Sequence, residues 1–201
     1  NMIDDFNHGI DFHTITASKI YGVDVENVTK DMRRIAKAVN FGIVYGMSDW
    51  GLSEQLQIPV YEASDFIKKY FEIYPEIKTY LNDVVEDCKL TTYTTTIFNR
   101  RRYIKEINSS NHNLSEFAKR TAMNAPIQGS AADIIKIAMI NVHKKMKELN
   151  LQSKMVAQVH DELIIDVHPS ELEIVKQMLK EIMESAVSLK VKMIVDVEEG
   201  K

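Results

Sequence analysis

The spacing of the hydrophobic positions predicts a chain whose first half is mostly helical. Apolar residues recur every three or four positions over residues 60–72 and 75–89, which is the periodicity of one buried helix face. Three side chains that commonly cap helix N-termini precede further candidate helices: Asp11, Thr29 and Ser48. We therefore expect a helix to begin just after each of these three residues.

The middle of the chain switches to a β-type pattern and back. β-branched residues dominate positions 91–98, and residues 101–107 are the candidate partner strand. The polar stretch at 108–113 predicts a loop. Ser115 then opens a helix that is expected to bend at Pro126, because proline lacks the N–H that an interior helical turn needs. A separate long helix is expected over about 130–149.

Two short β-type runs near the end of the chain predict a hairpin. They cover residues 154–160 and 163–167 and flank Asp161 and Glu162, which places both acidic residues at the expected tip. A helix to about residue 188 and a last strand over 191–197 complete the predicted elements. The predicted fold class is therefore α+β and mainly helical.

One predicted helix carries an unusual pattern. Arg33, Lys37, Phe41 and Tyr45 follow one another at intervals of four. Each interval drifts by about 40° around an α-helix, so the four side chains form one slowly turning row, called here the cation–aromatic stripe. A nucleotide presents phosphate charges and then a flat ring in the same order. The alternative is an aromatic pair in the core beside two solvated cations.

A second row repeats the same interval with hydrogen-bonding side chains. Arg120, Asn124 and Gln128, called here the polar trio, are all polar and share one helix face. The minor groove of DNA presents a hydrogen-bond acceptor on every base pair. Donors along one helix face could therefore test base-pair geometry without reading sequence. A solvated polar face is the alternative.

The acidic hairpin is the third candidate feature. Two carboxylates on a rigid, exposed turn suit Mg²⁺, which takes one or two carboxylates together with water and phosphate oxygens. Asp161 and Glu162 are the candidates. The alternative is a turn that merely favours aspartate.

Basic charge is concentrated in two segments, although the formal net charge is −4. Residues 30–46 carry four basic side chains and one acidic one, and residues 100–120 carry six and two. Residues 161–201 instead carry ten acidic and five basic side chains. The two basic segments are therefore the ones expected to contact phosphate.

Cysteine content and hydropathy bound the location of the protein. Cys88 is the only cysteine, so an internal disulfide is excluded and an intracellular location is expected. No apolar run approaches the length of a membrane span, and no membrane association is expected.

Three segments resemble motifs of family A DNA polymerases, the bacterial DNA polymerase I group. Residues 33–46 resemble the fingers-helix pattern Arg-x-x-x-Lys-x-x-x-Asn-Phe-Gly-x-x-Tyr-Gly. Residues 124–129 resemble the palm segment Asn-x-Pro-x-Gln-Gly, and the Val-His-Asp-Glu run at 159–162 resembles a palm motif. The motifs occur in the family's order, and the resemblance covers essentially all 201 residues.

The resemblance implies roles at the nucleotide. Arg33 and Lys37 would hold the phosphates of an incoming deoxynucleoside triphosphate, Phe41 would pack on its sugar and base, and Tyr45 would stack by the templating base. His13 matches a position that contacts the triphosphate in this family; a capping or surface histidine is the alternative.

The resemblance also implies contacts with primer-template DNA. The polar trio would lie against the duplex near the growing end, and His160 would lie near the primer terminus. Arg100, Arg101 and Arg102 are expected to face DNA phosphate, with a solvated charge run as the plain alternative.

For the chemistry, the resemblance implies two Mg²⁺ ions in the intact enzyme. Asp161 would be a metal ligand, with Glu162 nearby in support. Lys37 joins these two carboxylates as a candidate catalytic residue. The implied reaction is template-directed addition of deoxynucleotides to a primer 3′ end by two-metal phosphoryl transfer.

One metal-binding motif of the family has no match in this sequence. The family's first metal-binding aspartate lies in an Asp-Tyr-Ser-x-Ile-Glu-like strand, and the Asp4-Asp5 pair does not resemble it. We therefore expect a fragment, with fingers over 1–115 and part of the palm over 116–201, that is inactive or nearly so alone. Its expected partners are primer-template DNA, deoxynucleoside triphosphates and the remainder of a cytoplasmic, nucleoid-associated polymerase used in replication and repair.

Two other function classes remain open from the sequence. A non-catalytic helical DNA-binding module would use the same arginines and lysine without needing Asp161. A phosphate-handling hydrolase would use His160, Asp161 and Glu162, and would break down nucleotides without a template.

Overall fold

A computed structural model of the chain describes residues 2–7, 9 and 11–200. They are mainly helical with two short antiparallel strand pairs, so the predicted fold class is confirmed. The helices are α1 (Met2–Asn7), α2 (Phe12–Tyr21), α3 (Lys30–Val44), α4 (Asp49–Leu56), α5 (Val60–Ile73), α6 (Pro75–Thr91), α7 (His112–Glu148) and α8 (Leu172–Glu184). The strands are β1 (Tyr93–Thr95), β2 (Arg101–Tyr103), β3 (Lys154–Val159) and β4 (Glu162–Asp166).

The chain divides into two compact units, residues 1–129 and 130–201. The division into fingers over 1–115 and palm over 116–201 is a statement about family correspondence, and it stays a prediction.

The three predicted helix caps are present. The Asp11 carboxylate accepts a hydrogen bond from the Thr14 N–H at 2.8 Å. Thr29 Oγ1 accepts from the Met32 N–H at 3.2 Å, and Ser48 Oγ accepts from the Gly51 N–H at 3.2 Å. Each cap satisfies one of the backbone donors that a helix leaves unpaired at its start.

Helix α3 buries one side and exposes the other. Ala36, Val39 and Ile43 are buried, and this side of the helix packs into the main core of the first unit with Leu52 and Tyr70. Because buried positions recur every three or four residues, the cation–aromatic stripe is left on the other side, toward solvent.

Helix α3 ends at a glycine that must adopt a left-handed conformation. Gly46 has φ +66°, its N–H donates to the Ile43 carbonyl at 3.0 Å, and the Met47 N–H donates to the Gly42 carbonyl at 2.8 Å. This is the Schellman pattern of helix termination. A Cβ at Gly46 would lie 2.5 Å from Met123 Cε and 3.0 Å from Arg120 Cγ, so the end of α3 is in direct contact with α7.

A second core in this unit connects α6, the segment that follows β2 and the start of α7. Its buried members are Cys88, Ile104, Ile107, Ala118 and Ala122. Small residues on α7 allow that helix to approach closely. This core fixes the position of the first turns of α7 within the unit.

The first strand pair is shorter than predicted. β1 and β2 pair three residues each, with Tyr93 opposite Tyr103 and Thr95 opposite Arg101. Residues 96–100 form the connecting turn, in which the Thr96 N–H donates to the Arg100 carbonyl at 3.0 Å and Asn99 has φ +61°. The β-branched run therefore extends past the strand into the turn that closes it.

Helix α7 continues where the sequence predicts two separate helices. It begins at His112, inside the predicted loop, and runs without a break to Glu148. Pro126 removes only its own N–H from the helical hydrogen bonds, and Ala122, Ala125 and Pro126 itself are buried. Burial of Pro126 and of the turn before it thus favours a continuous helix.

In the second unit, the β3–β4 hairpin is present as predicted, and its core also involves α8 and the last turns of α7. The buried members of this core are Val142, Met146, Val175, Met178 and Leu179. Helix α8 ends at Glu184 rather than near residue 188. A single turn of 3₁₀-helix, Pro169–Glu171, precedes it.

The predicted last strand over 191–197 is wrong for the structure described. No strand is assigned there, and the Val195 N–H donates to the Glu184 carboxylate at 3.2 Å. A β-strand needs a neighbouring strand to accept its hydrogen bonds, and β3 and β4 pair only with each other in the described part of the chain. The apolar alternation alone therefore does not produce a strand.

The contact between α3 and α7 can be tested at Gly46. We expect Gly46→Ala to lower the free energy of unfolding by about 2–4 kcal/mol, the sum of left-handed strain and overpacking against Met123 and Arg120. Gly22→Ala is the matched control, because Gly22 also has φ +66° but a Cβ there would meet nothing within 4 Å. It should cost only about 1 kcal/mol. Urea unfolding of both variants measures the difference, and equal costs would contradict the close contact.

Candidate functional site

The cation–aromatic stripe is exposed along its whole length. Arg33 and Lys37 are exposed, and Phe41 and Tyr45 retain 45% and 44% of their accessible surface. The two rings stack with centroids 6.3 Å apart and planes 19° from parallel. The alternative of a core aromatic pair is therefore wrong, and the stripe offers flat surface to solvent.

The two cations of the stripe differ in their pairing. Arg33 is held by Asp11, the N-cap of α2, through Nε to Oδ2 at 3.0 Å and Nη2 to Oδ1 at 2.9 Å. Lys37 has no carboxylate partner among the described residues, and its Nζ lies 5.9 Å from the centroid of the Phe41 ring. Lys37 is thus the cation that can meet an anion without first releasing a partner.

The Asp11–Arg33 pair shifts the titration of both groups. The Arg33 guanidinium lowers the pKa of Asp11 to about 2, mainly by its hydrogen bonds, with help from Thr14 and against the effect of partial burial. The pKa of Arg33 is raised by the same hydrogen bonds. Asp11 is therefore ionised, and Arg33 remains paired, throughout the physiological range.

Helix α2 brings His13 to the stripe. Its ring lies 5.6 Å from the Phe41 ring, centroid to centroid, and its Nδ1 is 2.9 Å from the side-chain nitrogen of Asn40. Partial burial lowers the pKa of His13, the positive charges of Arg33 and Lys37 add to that effect, and Asp11 opposes it. His13 is therefore favoured as a neutral imidazole beside two cations. A histidine in this arrangement is neither an N-cap nor an isolated surface residue.

The polar trio lies on the first part of α7. Arg120 and Gln128 are exposed, whereas Asn124 is partly buried. The Oδ1 of Asn124 is buried and has no hydrogen-bond partner among the residues that the structure describes. Arg120 also contacts the glycine that ends α3, so this unit brings the polar trio next to the aromatic end of the stripe.

The three consecutive arginines do not form one uniform cationic patch. Arg100 donates from Nη2 to the Gly129 carbonyl at 3.1 Å, and the Arg101 guanidinium lies 4.6 Å from the centroid of the Tyr93 ring. Successive strand residues point to opposite faces, so Arg101 and Arg102 diverge along β2. Arg100 and Arg102 line a small cavity of about 70 Å³.

The acidic hairpin differs from the prediction in its tip. His160 and Asp161 form the two-residue turn, with φ +52° at His160, whereas Glu162 is the first residue of β4 and pairs with Val159. The prediction that both carboxylates occupy the turn is wrong, because the register of the hairpin includes Glu162 in the ladder. His160, Asp161 and Glu162 are all exposed.

A metal site is not complete within the described residues. They contain no group of three or more His, Cys, Asp or Glu side chains placed to hold a metal ion. The hairpin does provide carboxylate oxygens at an exposed position, which is the donor type that Mg²⁺ prefers. Asp161 and Glu162 therefore fit part of a Mg²⁺ site that needs ligands from elsewhere.

The whole chain matches a known protein family. The family model for DNA polymerase family A matches residues 1–201. The chain belongs to DNA polymerase family A. Relatives include DNA polymerase I of Caldicellulosiruptor bescii, 53% identical over 99% of this chain, and DNA polymerase I of Geobacillus stearothermophilus, 50% identical over all of it. The chain spans 23% of the length of each of these relatives.

A solved family A structure has the same fold. The POL domain of Pol1 from M. smegmatis, in complex with DNA primer-template and dNTP, matches with a TM-score of 0.91 and 43% sequence identity. The match covers 95% of this chain and 34% of that one. Over the part of this family A chain that the structure describes, no helix is both long and apolar enough to cross a membrane.

Two residues beside the stripe make contacts that the sequence does not predict. Asp11 was expected only as a helix cap, and its second bond, to Arg33, joins residues that are 22 positions apart. Asn40 is buried beneath the stripe and contacts His13 across 27 positions. The only available signal was the polar character of Asn40 on the apolar side of α3.

The Asp11–Arg33 pair predicts that stability depends on pH in the acidic range. The pKa of Asp11 is about 2, below its ordinary 3.8, so the pair's stabilisation is complete above about pH 4 and is lost as the pH falls toward 2. Because both side chains are more than a third exposed, solvent screening keeps this contribution to stability small. Titration of the Asp11 carboxyl carbon by NMR measures this pKa.

Two arginine variants test whether Arg33 causes the low pKa of Asp11. Arg33→Gln should return the pKa of Asp11 toward its ordinary value. Arg34→Gln is the matched control, because Arg34 pairs with Asp31 instead, at 3.5 Å, and should leave Asp11 unchanged. An Asp11 pKa near 4 in the unmodified chain would contradict the pairing.

Proposed function

We propose that this chain forms the nucleotide-binding part, and half of the metal-binding part, of a DNA-directed DNA polymerase that extends a primer with deoxynucleotides in replication and repair. The observation that carries the proposal is the exposed stripe with His13 beside it, on a chain that belongs to DNA polymerase family A. The partners are primer-template DNA, deoxynucleoside triphosphates and the rest of the polymerase, in the bacterial cytoplasm at the nucleoid.

The cationic end of the stripe suits a triphosphate. Lys37 is exposed and lacks a carboxylate partner among the described residues, so its ammonium can bind phosphate oxygens directly. Arg33 can do the same after exchanging the Asp11 carboxylate for phosphate, since both anions accept two parallel N–H donors. His13 lies on the same side and supplies a third polar contact.

The aromatic end suits the base and sugar. Phe41 and Tyr45 are almost parallel and about half exposed, which gives a stacking surface without sequence preference. Phe41 would pack on the sugar and base of the incoming nucleotide, and Tyr45 would lie by the templating base. A polymerase needs this tolerance, because it must accept all four bases.

Contacts with DNA would come from α7, the arginines and the hairpin. Donors from Arg120, Asn124 and Gln128 would meet minor-groove acceptors near the growing end. The arginines at 100–102 would contribute phosphate contacts that carry no sequence information. His160, in the hairpin turn, would lie near the primer terminus.

In the reaction, the primer 3′-hydroxyl oxygen attacks the α-phosphorus of the triphosphate. A new P–O bond forms and the hydroxyl proton passes to water, while the bond from the α-phosphorus to the oxygen that bridges to the β-phosphorus breaks and pyrophosphate leaves. Lys37 and Arg33 would stabilise charge on the phosphate oxygens. Asp161, supported by Glu162, would hold Mg²⁺, which supplies positive charge at the reacting phosphate. The intact enzyme would use two such ions, with further carboxylates from outside the hairpin.

The nucleotide site is tested by equilibrium binding. Lys37→Ala should weaken binding of a deoxynucleoside triphosphate to the 201-residue chain roughly tenfold, the loss of one charge-assisted contact of about 1.4 kcal/mol. Calorimetric titration measures this. Lys68→Ala on α5 is the control, because Lys68 is also an exposed lysine, 3.9 Å from Glu72, but lies off the stripe. Equal effects of the two variants would count against the stripe as the site.

The catalytic role of the hairpin needs a complete polymerase. Residues 1–201 can replace the matching segment of the Geobacillus stearothermophilus enzyme, to which they are 50% identical. In that chimera we expect Asp161→Asn to reduce Mg²⁺-dependent primer extension on the order of 10³-fold, or about 4 kcal/mol, with duplex binding unchanged. Asp166→Asn, at the other end of β4, is the control and should extend normally.

The same assay separates the competing functions. A non-catalytic DNA-binding module predicts no loss on Asp161→Asn, and a hydrolase predicts nucleotide breakdown without template. The 201-residue chain by itself should not extend a primer, because its described residues lack a complete set of metal-binding carboxylates. Efficient extension by that chain would overturn this part of the proposal.

A further inference from the structure

Asn40 is a buried polar residue on the side of α3 that faces the core. It is 5% exposed and lies next to Phe41 in the sequence. A buried amide is costly unless its hydrogen bonds are made, and the polymerase roles proposed above do not use this residue. Its partners are the Thr16 hydroxyl and the Nδ1 atom of His13, both supplied by α2.

The Thr16 hydroxyl is the first partner of the Asn40 amide. Its Oγ1 is 2.9 Å from the Phe12 carbonyl, which can only accept, and 3.3 Å from Asn40 Oδ1. A hydroxyl has one proton, and the shorter contact to Phe12 is the better bond. Toward Asn40, Thr16 therefore acts as an acceptor, and it receives the N–H of Asn40 Nδ2 at 3.2 Å.

The Asn40 amide nitrogen, which lies next to the His13 ring, determines which ring nitrogen is protonated. The nitrogen of the Asn40 amide faces both Thr16 Oγ1 and His13 Nδ1, and an amide nitrogen can only donate. His13 Nδ1 must therefore accept the second N–H at 2.9 Å, and it carries no proton. In a neutral imidazole the proton is then on Nε2, at the far edge of the ring.

We infer that Asn40 is a positioning residue that holds His13 in its Nε2–H form, so that His13 presents a hydrogen-bond donor to a phosphate oxygen of the bound nucleotide. The inference rests on the nucleotide site proposed above and specifies one of its contacts. The opposite tautomer would present an acceptor lone pair to an anion.

The surroundings of His13 agree with a neutral donor. Partial burial and the nearby charges of Arg33 and Lys37 lower its pKa, with only Asp11 opposing them. A neutral imidazole can donate its N–H to phosphate. It does so without adding a third positive charge that would repel Arg33 and Lys37. The hydrogen bonds among Thr16, Asn40 and His13 also join α2 to α3. The His13 donor is therefore held in a fixed position relative to the stripe.

The tautomer can be measured directly in the chain without nucleotide. Long-range ¹H–¹⁵N correlation spectra of the ¹⁵N-histidine-labelled protein distinguish protonated from unprotonated ring nitrogens, and His13→Gln assigns the signals. We expect an unprotonated Nδ1 and a protonated Nε2 at neutral pH. A protonated Nδ1 in the unmodified protein would overturn the inference, whether or not nucleotide binds.

Variants test whether Asn40 is the cause. Asn40→Asp replaces the donor with a carboxylate acceptor, so Nδ1 of His13 should become protonated. Thr16→Val removes the hydroxyl that accepts from Asn40, so the preference of His13 for the Nε2–H tautomer should weaken. Thr16→Ser retains a hydroxyl and should keep that preference. Asn82→Asp, at an exposed position on α6, is the control and should leave His13 unchanged. An unaltered His13 spectrum in Asn40→Asp would show that Asn40 does not determine the tautomer of His13.

The link to phosphate is tested by a double-mutant cycle. Asn40→Leu should weaken binding of a deoxynucleoside triphosphate about fivefold, and the effect should disappear in a His13→Gln background. Thermal melting of each variant checks that it is folded. A fivefold loss that persists without His13 would show a merely structural role and overturn the inference. If nucleotide binding itself fails while the tautomer is as expected, the proposed site is wrong and the positioning by Asn40 stands.

Discussion

The burial of one side of helix α3 is the constraint from which the rest of the candidate site follows. Val39 and Ile43 are packed into the main core, and the Gly46 termination holds the end of the helix against α7. With that side fixed, the helix cannot rotate, and the stripe must face solvent. Two stacked rings about half exposed are costly to leave in water, so this surface is held by core packing and is well suited to a ligand with a flat ring.

Polar contacts between α2 and α3 complete the arrangement that the core begins. Asp11 holds Arg33 through two bonds at the outer edge, and Asn40 holds His13 further in. The outer pair is exposed and exchangeable, whereas the inner network is buried and therefore expensive to break. One helix pair thus combines a group that can change partners with a group whose orientation is fixed. Both features would suit the anion proposed to bind here, which must bind and leave repeatedly.

Local sequence signals predicted the elements well and their tertiary relations poorly. Caps at Asp11, Thr29 and Ser48 involve residues three positions apart, so the sequence contains the whole interaction. The continuous α7 and the missing strand at 191–197 depend instead on which surfaces are buried or paired. Pro126 is tolerated in a helix where it and the preceding turn are buried, and residues 191–197 form no strand because they do not pair with β3 or β4.

The same distinction applies to the site. A regular interval of four predicted the stripe, because helical geometry alone brings those side chains together. The pairing of Arg33 with Asp11 and of His13 with Asn40 crosses from one helix to another, and no local pattern encodes it. The hairpin tip was misplaced by one residue, since the pairing of Glu162 with Val159 depends on the register of the whole ladder.

Local pairing of charge explains how a chain of net charge −4 can present a site for a polyanion. Interactions between exposed charges fade beyond about 8–10 Å at physiological salt, so the total matters less than the immediate neighbours. Many cations of the first unit are already paired within their own helix, as Lys69 is with Asp65 and Lys119 with Glu116. Lys37 differs because the described residues give it a ring instead of a carboxylate. Lys37 therefore places positive charge that no described carboxylate neutralises at the stripe, where the proposed phosphate would lie.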